Sequence, residues 1–286
     1  KSFIKKSFIK EKLFKGRDYE LCKTKYKIKT HINKKNLILL TTSGTTQNPK
    51  LVRLSNSNIM QNTKDIVKYL KINSQHTTIT TMPMGYSYGL SIINSHLHKG
   101  SKILVNEKSV LDKTFWLNLK KYRVTSFGGV PNLYEILEKL KFKNFNLPSL
   151  KYLTQAGGKL NTNTLKYFDQ LCKGKKIKFV VMYGQTEASP RMSYLPFEKL
   201  SKNIGSIGKS LPSSFFRIID ENKNFINKPD VIGELVFYGK NVCLGYAHTS
   251  KDFKKGDVNK GKLFTGDLAF RNKKGYNLIF KLIYIC

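Results

Sequence analysis

The sequence predicts an α/β fold in which helices cover a mixed or parallel sheet and a β-rich subdomain follows. Between residues 37 and 204, short apolar runs alternate with segments whose apolar residues repeat at helical spacing. Repeated βα units of this kind build parallel or mixed sheets covered by helices. After about residue 205 the helical spacing stops, and apolar runs are separated by turns of Gly, Asn and Lys, which is typical of strands.

The elements of the α/β body follow from these patterns in chain order. We predict strands at 36–40, 77–80, 101–106, 125–130, 150–158 and 177–184. We predict helices at 55–70, 111–122, 131–140 and 162–172. The first helix has two candidate N-caps, Ser55 and Ser57, and Pro131 suits the first turn of its helix.

The β-rich portion is predicted to contain short strands joined by tight turns. We place them at 215–220, 233–239, 242–246, 262–270 and 275–280. The NKKG segment at 272–275 is expected to turn a hairpin.

Three regions follow from composition. The 286 residues, 40% hydrophobic, are enough for a real core and exclude a disordered tail. Residues 1–36 hold 13 Lys or Arg against 3 Asp or Glu. We therefore expect a basic, poorly anchored lead at 1–36, an α/β body at 37–204 and a β-rich portion at 205–286.

Lysine carries nearly all of the net charge of +34, with 46 Lys against six Arg. A polyanion partner is one interpretation, because basic side chains neutralise phosphates. A compositional bias toward Lys is the other, and we favour it because phosphate and base recognition recruits mainly Arg. Nucleic acid is therefore not the expected partner.

The cysteines and the apolar runs bear on location. The four cysteines form no CxxC pair and have no His at metal-ligand spacing, so we expect neither a zinc site nor a disulfide framework. The apolar runs are far shorter than the roughly 20 residues that span a bilayer. We expect a cytoplasmic protein with no membrane partner.

The first candidate site is TTSGTTQNPK at 41–50, between a predicted strand and a predicted helix. Hydroxyl residues around Gly44 would let backbone N–H groups and side chains surround a phosphate, and Lys50 adds a positive charge. The segment is not a Walker loop, because Pro49 precedes Lys50 and Leu51 follows it. An ordinary connector is the alternative.

The second candidate is YGQTE at 183–187, which ends a predicted strand. Ligands of α/β sheets lie beyond the carboxyl ends of strands. Tyr183 could stack on a base, Thr186 could contact a phosphate and Glu187 could hold Mg²⁺. Alternatively, the Tyr packs into the core and the Glu caps a helix.

The third candidate is Asp267, within the predicted strand LFTGDLAF at 263–270. A carboxylate inside a strand is poorly favoured. A bidentate partner such as a ribose diol would account for it, and so would a turn.

Taken in this order, the three segments resemble the adenylate-forming superfamily of acyl- and aryl-CoA synthetases, adenylation domains and luciferases. TTSGTTQNPKLV resembles its phosphate loop, QAGGKL (155–160) its adenine-lining segment and YGQTE its adenine and magnesium motif. GELVFYGKNVCLGY (233–246) and LFTGDL (263–268) resemble its late β-rich motifs. The chain is similar to a branch associated with bacterial surface-polysaccharide gene clusters.

The resemblance implies the large N-terminal domain of an AMP-forming ligase. Such an enzyme would join a carboxylic acid to the α-phosphate of Mg-ATP, giving acyl-AMP and pyrophosphate. It would then pass the acyl group to the thiol of coenzyme A or of a phosphopantetheine carrier protein.

The resemblance also implies roles for individual residues. Lys50, Thr186 and Glu187 would form the catalytic set, with Glu187 binding the metal. Tyr183 would stack on adenine and Asp267 would hold the ribose. The nucleotide would be bound by Thr42, Ser43, Gly44, Thr45, Thr46, Lys50, Ala156, Gly157, Gly158, Tyr183, Gly184, Thr186 and Asp267. The acyl pocket would be formed by Tyr86, Tyr88, Gly89, Gly128, Gly129 and Val130.

The departures from the family pattern lead to two expectations about activity. Gln47 stands where the phosphate loop usually has Gly, and Tyr86 where His is frequent. Much of the first subdomain and the small C-terminal domain with its catalytic Lys are expected to be absent. We therefore expect either a large domain completed by a separately encoded C-terminal domain or a catalytically inactive, truncated nucleotide-binding remnant.

Overall fold

The computed structural model describes residues 9–15, 20–24, 32–42 and 50–281. The helices are α1 (Asn56–Leu70), α2 (Ser87–Leu97), α3 (Lys113–Lys121), α4 (Pro131–Lys139) and α5 (Thr162–Gly174). The strands up to the fifth helix are β1 (Ile9–Lys15), β2 (Glu20–Thr24), β3 (Ile38–Thr41), β4 (Leu51–Leu54), β5 (Thr77–Ile79), β6 (Lys102–Leu104), β7 (Ser126–Gly129) and β8 (Tyr152–Gln155). Those that follow are β9 (Lys178–Gly184), β10 (Arg191–Leu195), β11 (Ser206–Ser210), β12 (Ser214–Ile219), β13 (Gly233–Gly239), β14 (Gly245–Ala247), β15 (Lys262–Arg271) and β16 (Asn277–Lys281).

A mixed sheet of 11 strands runs through the molecule in the order β12-β13-β15-β16-β11-β10-β9-β8-β7-β5-β6. The pairings from β6 to β9 are parallel. The pairings from β9 to β12 are antiparallel. The predicted α/β fold class, with a β-rich portion after the body, is confirmed.

Two smaller sheets accompany the large one. A three-stranded sheet has the order β14-β4-β3, and β1 pairs with β2. Because β14 comes almost two hundred residues after β4 in the sequence, this sheet joins the start of the body to the β-rich portion. Its edge reaches the site described below.

The helices α1, α3, α4 and α5 lie close to their predicted positions, whereas α2 was not predicted. Ser55 is the N-cap of α1: its Oγ accepts from the N–H of Asn58, and the Asn58 side chain accepts from the N–H of Ser55. This reciprocal pair satisfies two backbone donors at the helix start. Of the two candidate caps, Ser55 is the correct one, and Ser57 is exposed.

The main core lies between the parallel strands and α3, α4 and α5. It is rich in aromatic rings: Tyr134 contacts Phe168 edge to face at 5.1 Å, and Phe115 contacts Phe127 at 6.2 Å. Such rings bury large apolar areas with favourable edge-to-face contacts. A second cluster, around Phe237, holds the β-rich strands together.

Several strands differ from the sequence predictions. β4, β10 and β11 were not predicted, because they carry buried polar residues such as Arg53, Arg191 and Ser193 that break the apolar pattern. The predicted strand at 242–246 is wrong over most of its length, since only Gly245–Ala247 is extended and paired. The predicted hairpin at 272–275 is confirmed, with Arg271 opposite Asn277.

None of the described helices combines the length and the apolar character needed to cross a membrane.

Candidate functional site

A cavity of about 560 Å³ lies beyond the carboxyl ends of β8 and β9. Its walls also come from the start of α2 and from β14 and β15, so segments far apart in the sequence meet there. The predicted site residues that line it are Thr42, Lys50, Tyr86, Tyr88, Ala156, Gly157, Gly158, Tyr183, Gly184, Thr186, Glu187 and Asp267.

One side of the cavity holds Lys50, Tyr246 and Glu187. The Tyr246 hydroxyl donates to Glu187 Oε1 at 2.7 Å, and Lys50 Nζ lies 5.8 Å from the Tyr246 ring centroid. Burial and the nearby Glu187 carboxylate raise the pKa of Tyr246, so its hydroxyl keeps the proton that it donates. A cation thus lies over the face of this aromatic ring, and a carboxylate accepts from its hydroxyl.

Thr186 lies next to this group. Its Oγ1 and the Ser87 Oγ are 3.0 Å apart, which joins the YGQTE segment to the first turn of α2. A hydroxyl pair of this kind can donate one proton to an external acceptor while sharing the other. It is suited to contact an anionic oxygen.

On another wall, Asp267 is the acceptor of two side-chain donors. The Tyr183 hydroxyl donates to Asp267 Oδ2 at 2.5 Å, and Gln185 Nε2 donates to the same oxygen at 3.2 Å. Burial, followed by the Asp267 charge, raises the pKa of Tyr183, so the phenol stays protonated. A carboxylate that is 3% exposed is thereby stabilised within β15.

Small residues form the wall after β8. Gly157 has φ +77°, and a Cβ there would lie 2.5 Å from Tyr86 Oη. Any side chain at this position would therefore displace the tyrosine. Ala156, Gly158 and Gly184 contribute to the same lining.

The predicted acyl-pocket residues divide into two groups. Tyr86 and Tyr88 line the cavity. The others are not among its lining residues: Gly89, Gly128, Gly129 and Val130. Gly128 packs behind the wall, where a Cβ would meet Thr154 Oγ1 at 2.6 Å and Tyr88 Oη at 2.7 Å.

The predicted phosphate loop is described only at its two ends. Ser43, Gly44, Thr45 and Thr46 lie outside the described residues, as does Gln47. The Thr42 N–H donates to the Lys50 carbonyl at 3.5 Å, and both residues line the cavity. Both ends of the segment therefore lie at the cavity.

The Glu187 carboxylate in the cavity suits a magnesium ion that also binds substrate phosphates. Within the described ranges, no group of three or more His, Cys, Asp or Glu side chains could hold a metal. Mg²⁺ usually takes one or two carboxylates and completes its shell with water and substrate phosphates. The Glu187 carboxylate on the cavity wall fits that pattern. The described residues do not provide the larger ligand set of a closed structural metal site.

The predicted site residues leave out several polar residues of the cavity, among them Ser87, Gln185, Arg191 and Tyr246. Ser87 and Tyr246 contact predicted site residues only through tertiary structure, so no local pattern reveals them. Arg191 had a usable signal, because arginine is rare in this lysine-rich chain.

Comparisons with known proteins identify the family and several relatives of this chain. Residues 7–247 match the family described as AMP-binding enzyme. An oxalate–CoA ligase of Arabidopsis thaliana is 28% identical over 244 residues, covering 84% of this chain and 46% of the relative. A 2-succinylbenzoate–CoA ligase of Bacillus cereus is 29% identical over 244 residues, covering 85% of this chain and 49% of the relative.

Solved structures show the same fold. An O-succinylbenzoate coenzyme A synthetase from Bacillus subtilis in complex with AMP has a TM-score of 0.75 at 22% identity, covering 88% of this chain and 50% of that one. The same synthetase with ATP and a magnesium ion has a TM-score of 0.74 at 23% identity, covering 85% of this chain and 49% of that one.

This chain spans about half the length of the curated relatives that it matches. The family match covers most of the chain, from the lead into β14. The chain therefore belongs to the AMP-binding enzyme family.

Proposed function

We propose that this chain binds ATP in the cavity and activates a carboxylic acid as its acyl-adenylate. The observation that carries the proposal is the meeting of Lys50, Tyr183, Thr186, Glu187 and Asp267 in one cavity, from three separate segments of the sequence. The relatives named as CoA ligases support the same reaction class. The acid is the substrate, and a thiol of coenzyme A or of a carrier protein is the acceptor.

The nucleotide would lie between the two walls of the cavity. Asp267, held by Tyr183 and Gln185, offers carboxylate oxygens to the ribose hydroxyls. The ring of Tyr183 and the small residues after β8 leave room for the adenine. Lys50 and the Thr186 hydroxyl would contact the phosphates.

In the reaction, a substrate carboxylate oxygen would attack the α-phosphorus and the bond to the pyrophosphate oxygen would break. Thr186 and Lys50 stabilise negative charge on the phosphate oxygens as it develops. A magnesium ion held by Glu187 would neutralise part of the phosphate charge. In the second step, the acceptor sulfur would attack the acyl carbon and AMP would leave. A separately encoded C-terminal domain is the proposed partner for completing this cycle.

Isothermal titration with Mg-ATP, paired with a pyrophosphate-release assay over a panel of carboxylic acids, tests the proposal. We expect saturable binding that Asp267→Asn weakens about tenfold or more, because it removes a charged acceptor. The exposed Asp257→Asn is the matched control. Binding without pyrophosphate release for any acid would support an inactive nucleotide-binding remnant instead.

A further inference from the structure

Arg191 on β10 contributes a buried guanidinium to the wall of the cavity. The residue is only 2% exposed. Its Nε donates to Ser91 Oγ at 3.2 Å, and its Nη1 donates to Tyr69 Oη at 2.8 Å. The guanidinium carbon lies 5.1 Å from the ring centroid of Tyr88. These contacts hold the cation firmly, but each of them is to a neutral group.

Within the described ranges, this guanidinium forms no ion pair with a carboxylate. Among the residues that the structure describes, the ion pairs all use lysine, and no Asp or Glu oxygen lies within 4.0 Å of the guanidinium. Burial raises the pKa of both Tyr69 and Tyr88, so the two phenols are neutral near pH 7. A buried cation without an anion is unfavourable, because burial removes its hydration.

Comparison with Arg53, another buried arginine, shows what is different about Arg191. Arg53 Nη2 donates to the carbonyls of Leu244 and Gly256 at 2.9 and 3.1 Å, so its donors are used within the protein. Arg191 Nη2 has no acceptor in the described part of the chain. It is also not among the unpartnered side-chain atoms that are shielded from solvent. Its donors are therefore open to the cavity.

Helix α2 sets the distance from Arg191 to the reacting end of the cavity. Ser91, which contacts Arg191, is one helical turn beyond Ser87, which contacts Thr186. One turn advances about 5.4 Å. We take this rise as the estimate of the spacing between the anionic groups of a ligand that would touch both Thr186 and Arg191. An extended chain advances about 1.2 Å per bond, so glutarate and adipate have this reach.

We propose that the acid substrate carries a second anionic group, and that Arg191 binds it while the reacting carboxylate lies at Thr186. The inference rests on the proposed function and specifies its substrate class as dicarboxylates or similar dianions. Arg191 then sets specificity, because a monocarboxylate of the same length would leave the guanidinium buried and unpaired.

The test is a titration of the AMP-saturated chain with matched acids. The chain is first saturated with AMP and is then titrated with the acids. Because AMP has no pyrophosphate to lose, no acyl-adenylate forms during the titration with acid. Adipate is then compared with hexanoate, glutarate with pentanoate, and pimelate with heptanoate. We expect at least one dicarboxylate to bind about tenfold or more tightly than its partner, since charge-assisted hydrogen bonds have that strength.

Variants assign the preference to Arg191. Arg191→Met should remove the difference in affinity between each dicarboxylate and its matched monocarboxylate. Arg191→Lys should keep part of that difference. Arg217→Met is the matched control, because Arg217 is exposed on β12, and it should keep the full ratio. A preference that persists in Arg191→Met would overturn the inference. If Arg191→Met does not fold by circular dichroism, the wild-type ratios decide: a ratio of one or less for all three pairs overturns it.

The two proposals fail in different ways. A folded wild-type chain that does not bind AMP would overturn the proposed function, and this inference with it. AMP binding without any dicarboxylate preference would overturn the inference alone.

Discussion

At the scale of single residues, the site consists of side chains whose orientation is fixed by hydrogen bonds to their neighbours. Asp267 receives two donors and Glu187 receives one. Both carboxylates therefore keep a defined orientation before any ligand enters, which reduces the reorganisation needed on binding. The motifs around these acids could be identified from the sequence, whereas the roles of Gln185 and Tyr246 as their hydrogen-bond donors could not.

Glu187→Gln separates orientation from charge. The amide oxygen can still accept from the Tyr246 hydroxyl, but the charge that attracts a magnesium ion is lost. We expect the ratio of ATP affinities with and without Mg²⁺ to fall about tenfold, as measured by isothermal titration. Glu198→Gln, at an exposed glutamate, should leave the ratio as in the wild type. If the ratio of ATP affinities with and without Mg²⁺ is unchanged in Glu187→Gln, this residue does not bind the metal.

His96 links stability to pH. Its Nδ1–H donates to the Ile92 carbonyl at 2.8 Å, and its Nε2 accepts from the Tyr152 hydroxyl at 3.1 Å. Burial lowers the pKa of His96 from 6.5 to about 4, so the folded chain binds this proton less readily than the unfolded chain. Stability conferred by the neutral ring is therefore present above pH 6.5 and is lost as the pH falls toward 4.

We expect the free energy of unfolding to decrease by about 2 kcal/mol between pH 7 and pH 5 because of His96. His76, whose pKa burial also lowers, adds to the decrease with the same sign. Urea denaturation at several pH values measures it. His96→Gln should flatten the dependence, and the exposed His98→Gln should not. Equal slopes for His96→Gln and the wild type would contradict the pKa assignment.

At the scale of elements, the sequence predicted what local patterns encode. α1, α4 and α5 start within a residue or two of their predicted positions, because caps and helical periodicity are local signals. β10 and β11 have no such signal. Ser193 Oγ donates to the Ile207 carbonyl, and Ser206 Oγ donates to the Asn277 carbonyl. Because their polar side chains are satisfied by neighbouring strands, these strands depend on tertiary pairing that the local sequence does not reveal.

Ser55→Ala tests the cap of α1. The substitution removes the acceptor for the Asn58 N–H, and we expect a loss of about 1 kcal/mol in the free energy of unfolding. Ser57→Ala is the matched control, because Ser57 is the second residue of α1 and its side chain is exposed. Chemical denaturation of both variants distinguishes them. Equal losses would show that the capping box does not stabilise the helix.

At the scale of the whole molecule, tertiary structure builds the cavity from motifs that sequence order keeps far apart. The motif positions predicted which strand ends meet, because ligands of such sheets lie at carboxyl ends. They did not predict the three-stranded sheet that brings Tyr246 of β14 beside Lys50. Long-range antiparallel pairing leaves no local trace in the sequence, so this wall of the cavity required the structure.

The charge of the whole molecule also has a measurable consequence. With a net charge of +34, like charges repel one another in the folded state. Added sodium chloride screens this repulsion, so we expect the thermal midpoint to rise between low and physiological ionic strength. A differential scanning experiment over a salt series measures the change. A midpoint that falls with salt would show that attractive ion pairs dominate instead.

A crystal structure of the chain with AMP tests the central claim most directly. We predict AMP in the cavity, with the ribose hydroxyls hydrogen-bonded to Asp267 and the base beside Tyr183 and Gly157. AMP bound elsewhere, or bound in the cavity without contact to Asp267, would contradict the claim.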